Sequence, residues 1–149
     1  MPNRRWSHGL AVRSVIGMTI HLDDPASAPP PAGPYTQLAR IELGPLTLLQ
    51  LSGQIAVDRD GKLVGEGDMA AQTEQVFSTI AALLQAHGAT LNDVINIRTF
   101  LTDMDLVREY GRVRLAHFAG HQPTSTTVEV SRLFMEGALV EVDLMAAVR

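Results

Sequence analysis

Two apolar stripes at helical spacing, set among runs that alternate, limit what this chain can fold into. The first stripe (Val76, Phe77, Ile80, Leu83, Leu84 and His87) recurs every three to four residues and predicts a helix over 69–87. Asp68 stands where a side chain caps the free N–H groups of a first turn, and Gly88 where a left-handed residue ends a helix. The second stripe, Leu106, Tyr110, Val113 and His117, predicts a helix over 105–119, capped by Asp103 or Asp105 and ended at Gly120. Strand patterns occupy 36–43 and 45–53, joined at Gly44-Pro45, then 93–102, 125–133 and 138–148. Asp58-Arg59-Asp60-Gly61 is a turn signal, because Asp-Gly tolerates the positive φ of tight turns. The order strand, strand, helix, strand, helix, strand, strand predicts an α/β (α+β) domain. Two helices can cover one face of its sheet but not both.

The uncovered face is the more informative one. In the last strand Val140, Val142, Leu144, Ala146 and Val148 share the face that meets the helices; Glu141, Asp143, Met145 and Ala147 share the other. In the preceding strand Val128 and Val130 point one way, and Ser125, Thr127, Glu129 and Ser131 the other. A solvated sheet face shows long charged side chains in alternation. Small residues, hydroxyls, a few carboxylates and Met145 instead suit a face covered by another subunit with a polar pocket left open, although a plain solvated sheet is the alternative.

At 149 residues there is room for one domain with a proper core. Pro25-Ala26-Ser27-Ala28-Pro29-Pro30-Pro31-Ala32-Gly33-Pro34 marks an extended connector over 25–34, since prolines at this density neither donate to a sheet nor sit inside a helix. The net charge of −4 leaves only Arg4, Arg5 and Arg13 as a basic cluster, so nucleic acid is not expected as a partner. The absence of cysteine removes disulfides and thiolate metal sites, which fits a cytoplasmic location. The apolar run from Gly9 to Ile20 is broken by Arg13 and is followed by no span of membrane length, so no membrane association is expected.

Standard catalytic constellations are missing. Ser52 lacks the glycine that precedes a nucleophile elbow. Gly65-Glu66-Gly67 precedes a helix, but Glu66 and Asp68 would repel a phosphate there. His117 and His121 are separated by Gly120 and have no accompanying glutamate, so they suit a helix C-terminus better than a metal. No metal and no cofactor are expected.

What remains is an ordered pattern: Gly33-Pro34-Tyr35-Thr36-Gln37; Ser52-Gly53-Gln54-Ile55; Gln72; Asn92-Asp93-Val94 leading into Arg98-Thr99-Phe100-Leu101-Thr102-Asp103; Pro123 ahead of Val128-Glu129-Val130-Ser131-Arg132-Leu133; and Val140-Glu141-Val142-Asp143. With these spacings the chain resembles the RidA (YjgF) family from Met18 to Arg149. The resemblance implies a chorismate-mutase-like fold, a homotrimer with clefts at its subunit seams, and cofactor-free hydrolysis of enamine or imine intermediates. It also implies that 18–149 is the domain, opening with a short strand at 18–22, and that 1–17 is an N-terminal extension.

Carried over position by position, the resemblance makes Glu141 the catalytic group that positions water. Tyr35, Ser52, Gly53, Ser125 and Thr127 become substrate-binding. Read without it, Tyr35 could equally anchor the connector, whereas a carboxylate between Val140 and Val142 needs a partner or a task. Two positions depart from the deaminating members: Ser125 stands where they have the arginine that clamps a substrate carboxylate, and Gly111 replaces an asparagine. Arg98 or Arg114 would have to reach the cleft to replace that clamp. Three functions stay open: a diverged hydrolase or deaminase acting on a C=N or enamine metabolite other than the usual 2-imino acids, a non-enzymatic metabolite-binding or regulatory trimer, and a nuclease of the kind historically attached to the family.

Overall fold

The computed structural model describes residues 13–15 and 17–149, with side chains described from 17 onward. Seven strands and two helices follow in the order β1 (Arg13–Val15), β2 (Met18–Asp23), β3 (Leu38–Leu43), β4 (Leu46–Gln54), α1 (Met69–Ala86), β5 (Val94–Leu101), α2 (Val107–Phe118), β6 (Thr124–Glu129) and β7 (Val140–Val148). Short 3-10 turns at Leu91–Asp93 and Met104–Leu106 precede β5 and α2. The strands form one sheet in the order β1-β2-β3-β4-β7-β5-β6, antiparallel throughout except for the parallel pair β5–β6. Of the expected extension, Arg13–Val15 adds an edge strand to β2; residues 1–12 and 16 lie outside the described residues.

The helices begin and end for local reasons. Asp68 accepts the Ala71 N–H at 3.0 Å and starts α1, and Gly88, at φ +73°, ends it by donating to the Gln85 carbonyl. Val76, Phe77, Ile80, Leu83 and Leu84 are fully buried against the sheet, each worth about 1.5–3 kcal/mol of transfer free energy. His87, expected at the end of that stripe, turns away as the C-cap and meets Asp23 Oδ2 at 3.1 Å. Asp103 caps the 3-10 turn ahead of the second helix, accepting the Asp105 N–H at 2.9 Å, whereas α2 itself begins after Leu106 with no side-chain cap from Asp103 or Asp105. Ala119 takes the left-handed conformation at its end, one residue before the expected Gly120.

Two expectations for the last strands change. β6 stops at Glu129 instead of running to 133, because the chain then leaves the sheet and sets Leu133, Met135 and Ala138 against Ile55 and Val57 in a small second core. The faces of β6 are also reversed. Its parallel register pairs Ser125 with Ile97 and Thr127 with Thr99, both fully buried under the helices, so Ser125 and Thr127 point to the helix side.

Buried amides fix the loops around the outer end of β7. Gln72, fully buried on α1, donates to the Gly65 and Gly137 carbonyls at 3.1 and 2.9 Å and accepts the Leu139 N–H at 2.8 Å. The proline-rich connector is held by Arg59, which donates to the Ala26 and Ser27 carbonyls, and by Gln37, which donates to the Pro29 carbonyl. Tyr35 therefore leaves a pinned strap.

Candidate functional site

The site forms where β4 and β7 fall out of step. Leu51 pairs with Leu144, but the next pair is Gln54 with Val142, so β4 carries one extra residue at this point. Leu51 and Gln54 are both buried on the helix side. A bulge of this kind turns both intervening residues, Ser52 and Gly53, toward the outer face. Beside them β7 presents Glu141. Tyr35, Ser52, Gly53, Ile55, Phe134 and Glu141 line an open cleft of about 320 Å³.

Each predicted residue in the cleft has a defined chemical state. The Ser52 hydroxyl donates to the Thr36 carbonyl at 2.7 Å, which leaves Oγ an acceptor toward the cleft and no base poised to make it a nucleophile. Tyr35 Oη accepts the Ala32 N–H at 3.3 Å, so its own proton remains available to donate. Gly53 leaves room for the Glu141 carboxylate in this position: a Cβ there would lie 2.8 Å from Cδ and 3.0 Å from Cγ and would push that side chain aside. Glu141 is half-buried and has no hydrogen-bond partner among the described residues. Burial, and secondarily the neighbouring Asp143 carboxylate, raise its pKa above the ordinary glutamate value.

Ser125 and Thr127 do not line this cleft within one chain. The Ser125 hydroxyl accepts from Arg114 Nη1 at 2.9 Å on the helix side, and Thr124, Thr126 and Val128 occupy the outer face in their place. Gly111 faces open space, with nothing within 4 Å of a Cβ built on it. Arg114 is committed to Ser125 and lies over the Phe118 ring.

Arg98 does come near. It borders a recess of about 260 Å³ that shares Ser52 and Gly53 with the cleft. Its fork, however, is filled by Asp143, with Nε to Oδ1 at 2.8 Å and Nη2 to Oδ2 at 2.7 Å. That bidentate pair raises the Arg98 pKa further.

The two histidines serve packing. His117 meets Glu74 Oε2 at 2.6 Å and stacks on Phe77, while His121 donates from Nε2 to the Val94 carbonyl at 2.6 Å. Among the described residues no cluster of three or more His, Cys, Asp or Glu is arranged to hold a metal, and no helix is long and apolar enough to cross a membrane.

Sequence reasoning missed two cleft residues. Ile55 ends the Ser52-Gly53-Gln54-Ile55 motif and could have been found there. Phe134 had no such signal, since the alternation assigned to β6 ends at 133 and says nothing of the loop beyond it. Together the cleft offers an unpaired carboxylate whose pKa burial raises, a hydroxyl acceptor, a phenol donor and two apolar walls. That set suits proton transfer to and from water rather than covalent catalysis.

A family model described as Endoribonuclease L-PSP matches residues 25–148. A RutC family protein of Pyrococcus horikoshii is 39% identical over 121 residues, covering 80% of this chain and 91% of that one. Protein DfrA of Myxococcus xanthus is 35% identical over 135 residues, covering 91% and 98%. Among solved structures, the Rid family protein YyfA of Yersinia pestis superposes with a TM-score of 0.76 at 34% identity, covering 87% of this chain and 99% of that one.

Proposed function

Because the chain belongs to the RidA/YjgF (Endoribonuclease L-PSP) family, we propose that its cleft hydrolyses a small C=N or enamine-type metabolite other than the usual 2-imino acids, with Glu141 handling the protons. The observation behind this reading is the Glu141 carboxylate, wedged over Gly53 and unpaired among the described residues, in a cleft whose lining holds no cation. Water adds to the carbon of a protonated imine while Glu141 takes one of its protons. The resulting carbinolamine collapses when that proton passes to nitrogen, the C–N bond breaks, and a carbonyl compound and an amine or ammonium ion leave. Tyr35 donates, and Ser52 accepts, the hydrogen bonds that orient the substrate.

The working unit in this proposal is a homotrimer. The outer face supports it where Ile20, Ile41 and Leu48 form an apolar row across β2, β3 and β4, because such a surface is normally covered. Ser125 and Thr127 would then act only across a seam, with β6 of one subunit lining the cleft of the next. A nuclease reading gains no support from a chain of net charge −4 or from a cleft holding Glu141 close to Asp143.

The test is hydrolysis of 2-iminopropanoate, generated in situ from serine by a dehydratase, beside hydrolysis of an uncharged imine such as N-methylbenzaldimine. Wild type should leave the first at its spontaneous rate and accelerate the second, with the acceleration lost in Glu141→Gln. Equal acceleration of both would restore the ordinary 2-imino-acid substrate. Saturable binding without turnover of either would make the protein a metabolite-binding trimer instead of an enzyme.

A further inference from the structure

We infer that the cleft selects a ligand with a flat apolar arm and a cationic or proton-accepting nitrogen head, and that Phe134 is the residue that recognises the arm. This rests on the cleft reading above and names the ligand class for it. Phe134 is 75% exposed, unusual for a phenylalanine, and it projects from the 130–137 loop into the wall shared with Tyr35 and Glu141. Tyr35 is 44% exposed in the same wall. Among the described residues neither ring stacks on another aromatic side chain, since the aromatic pairs involve Phe77, Tyr110, Phe118 and two histidines. The Phe134 ring is therefore largely open to a ligand, and the Tyr35 ring partly so.

The loop that carries Phe134 is held in place. Gly137 and Leu139 are bonded to the buried Gln72 amide, and Leu133 and Met135, on either side of Phe134, pack against Ile55 and Val57. An exposed aromatic side chain on a fixed loop, facing a cleft, loses little freedom when a ligand covers it.

Charge sets the head group. Among the described residues the cleft lining contains one ionisable carboxylate, Glu141, and no arginine or lysine. The cation nearest by register, Arg98, spends two donors of its fork on Asp143. A ligand carboxylate would face Glu141 and Asp143 without a free guanidinium. An ammonium or iminium would face Glu141 directly, with aromatic rings beside it.

Three probes of similar shape separate these contributions: benzylammonium, benzyl alcohol and benzoate, titrated calorimetrically into the full-length protein near pH 7. Benzylammonium should bind at least about tenfold more tightly than benzoate. Phe134→Ala should weaken benzylammonium by about tenfold, while Phe134→Tyr, which keeps the ring, should hold it near wild type. Glu141→Gln should bring benzylammonium down to the level of benzyl alcohol. Benzoate binding as tightly as benzylammonium would overturn the charge assignment, and an unchanged affinity in Phe134→Ala would overturn the role of the ring. The outcome is separable from the hydrolase proposal. Imine turnover that depends on Glu141 could persist with benzoate preferred, which sinks only the ligand class; cation binding with no turnover would sink only the reaction.

Discussion

The outer face of the sheet is divided between two kinds of surface, although every strand in it obeys the same alternation. One row runs Ile20, Ile41, Leu48 and Ala147 across β2, β3, β4 and β7, with Met18, Leu43 and Leu46 beside it. These residues are only half-buried or exposed in the single chain. Two rows further along, the same face reads Asp143, Arg98 and Thr126, then Glu141, Phe100 and Val128. The first region has nothing a ligand could be oriented by, and the second is too polar to serve as a dry contact. The difference teaches that the face is not one interface with a hole in it. In the proposed homotrimer it is an association surface and a chemical surface sharing strands, with Ser52-Gly53 at the border.

The two regions should fail separately. The largest effect is expected on the chemical side. Glu141→Gln should lower imine hydrolysis by about a thousandfold while the sedimentation profile stays that of wild type. Next, Ile41→Lys should place a charge in the apolar row and cost about 3 kcal/mol or more of association free energy. Analytical ultracentrifugation should then show single chains with unchanged far-UV circular dichroism. Loss of assembly in Glu141→Gln, or full assembly in Ile41→Lys, would break the division.

The border itself gives a smaller effect on both properties. Gly53→Ala should cost no more than about 1 kcal/mol of stability by chemical denaturation, because the new Cβ meets only the Glu141 side chain, which can swing aside. Activity should fall with it as that carboxylate is displaced. The finest effect is on pH. Asp143→Asn removes the second of the two causes that raise the Glu141 pKa, so the acid limb of the rate profile should move to lower pH, with burial keeping it above the ordinary range. The sign for stability runs the other way from a paired carboxylate. A raised folded-state pKa contributes stability below the ordinary glutamate value and loses it as pH rises through the raised one. Glu141→Gln should therefore melt slightly higher than wild type at neutral pH, and the gain should vanish in acid.

Much of this was legible from residues alone. The stripe from Val76 to Leu84 and the alternation from Val140 to Val148 placed α1 and β7, because each buries one side against a continuous core and so leaves a one-sided pattern. Tyr35, Ser52, Gly53 and Glu141 stand out in the sequence motifs and meet in one cleft. The sequence pattern puts Ser125 and Thr127 on the wrong face because β6 is an edge strand in which five of six residues are exposed. An alternation of short polar residues, with neither side buried, shows two faces without saying which one meets the helices. Phe134 was invisible for a different reason. An exposed phenylalanine in a loop has no period, and its meaning comes only from what β7 and the connector bring beside it.

The extra residue in β4 also bears on how such a chain can change over generations. Substitutions at Tyr35, Ile55 or Phe134 alter what the cleft accepts while leaving the count of residues, and so the phase of the strand, untouched. Losing a single codon at 52 or 53 would be a different event. The bulge would be erased and β4 would pair with β7 without a break, keeping Leu51 and Gln54 on the helix side but removing one of the two adjacent residues that face the cleft. Variation in specificity is thus open to this lineage one letter at a time, whereas the length of this stretch decides whether the cleft has its floor.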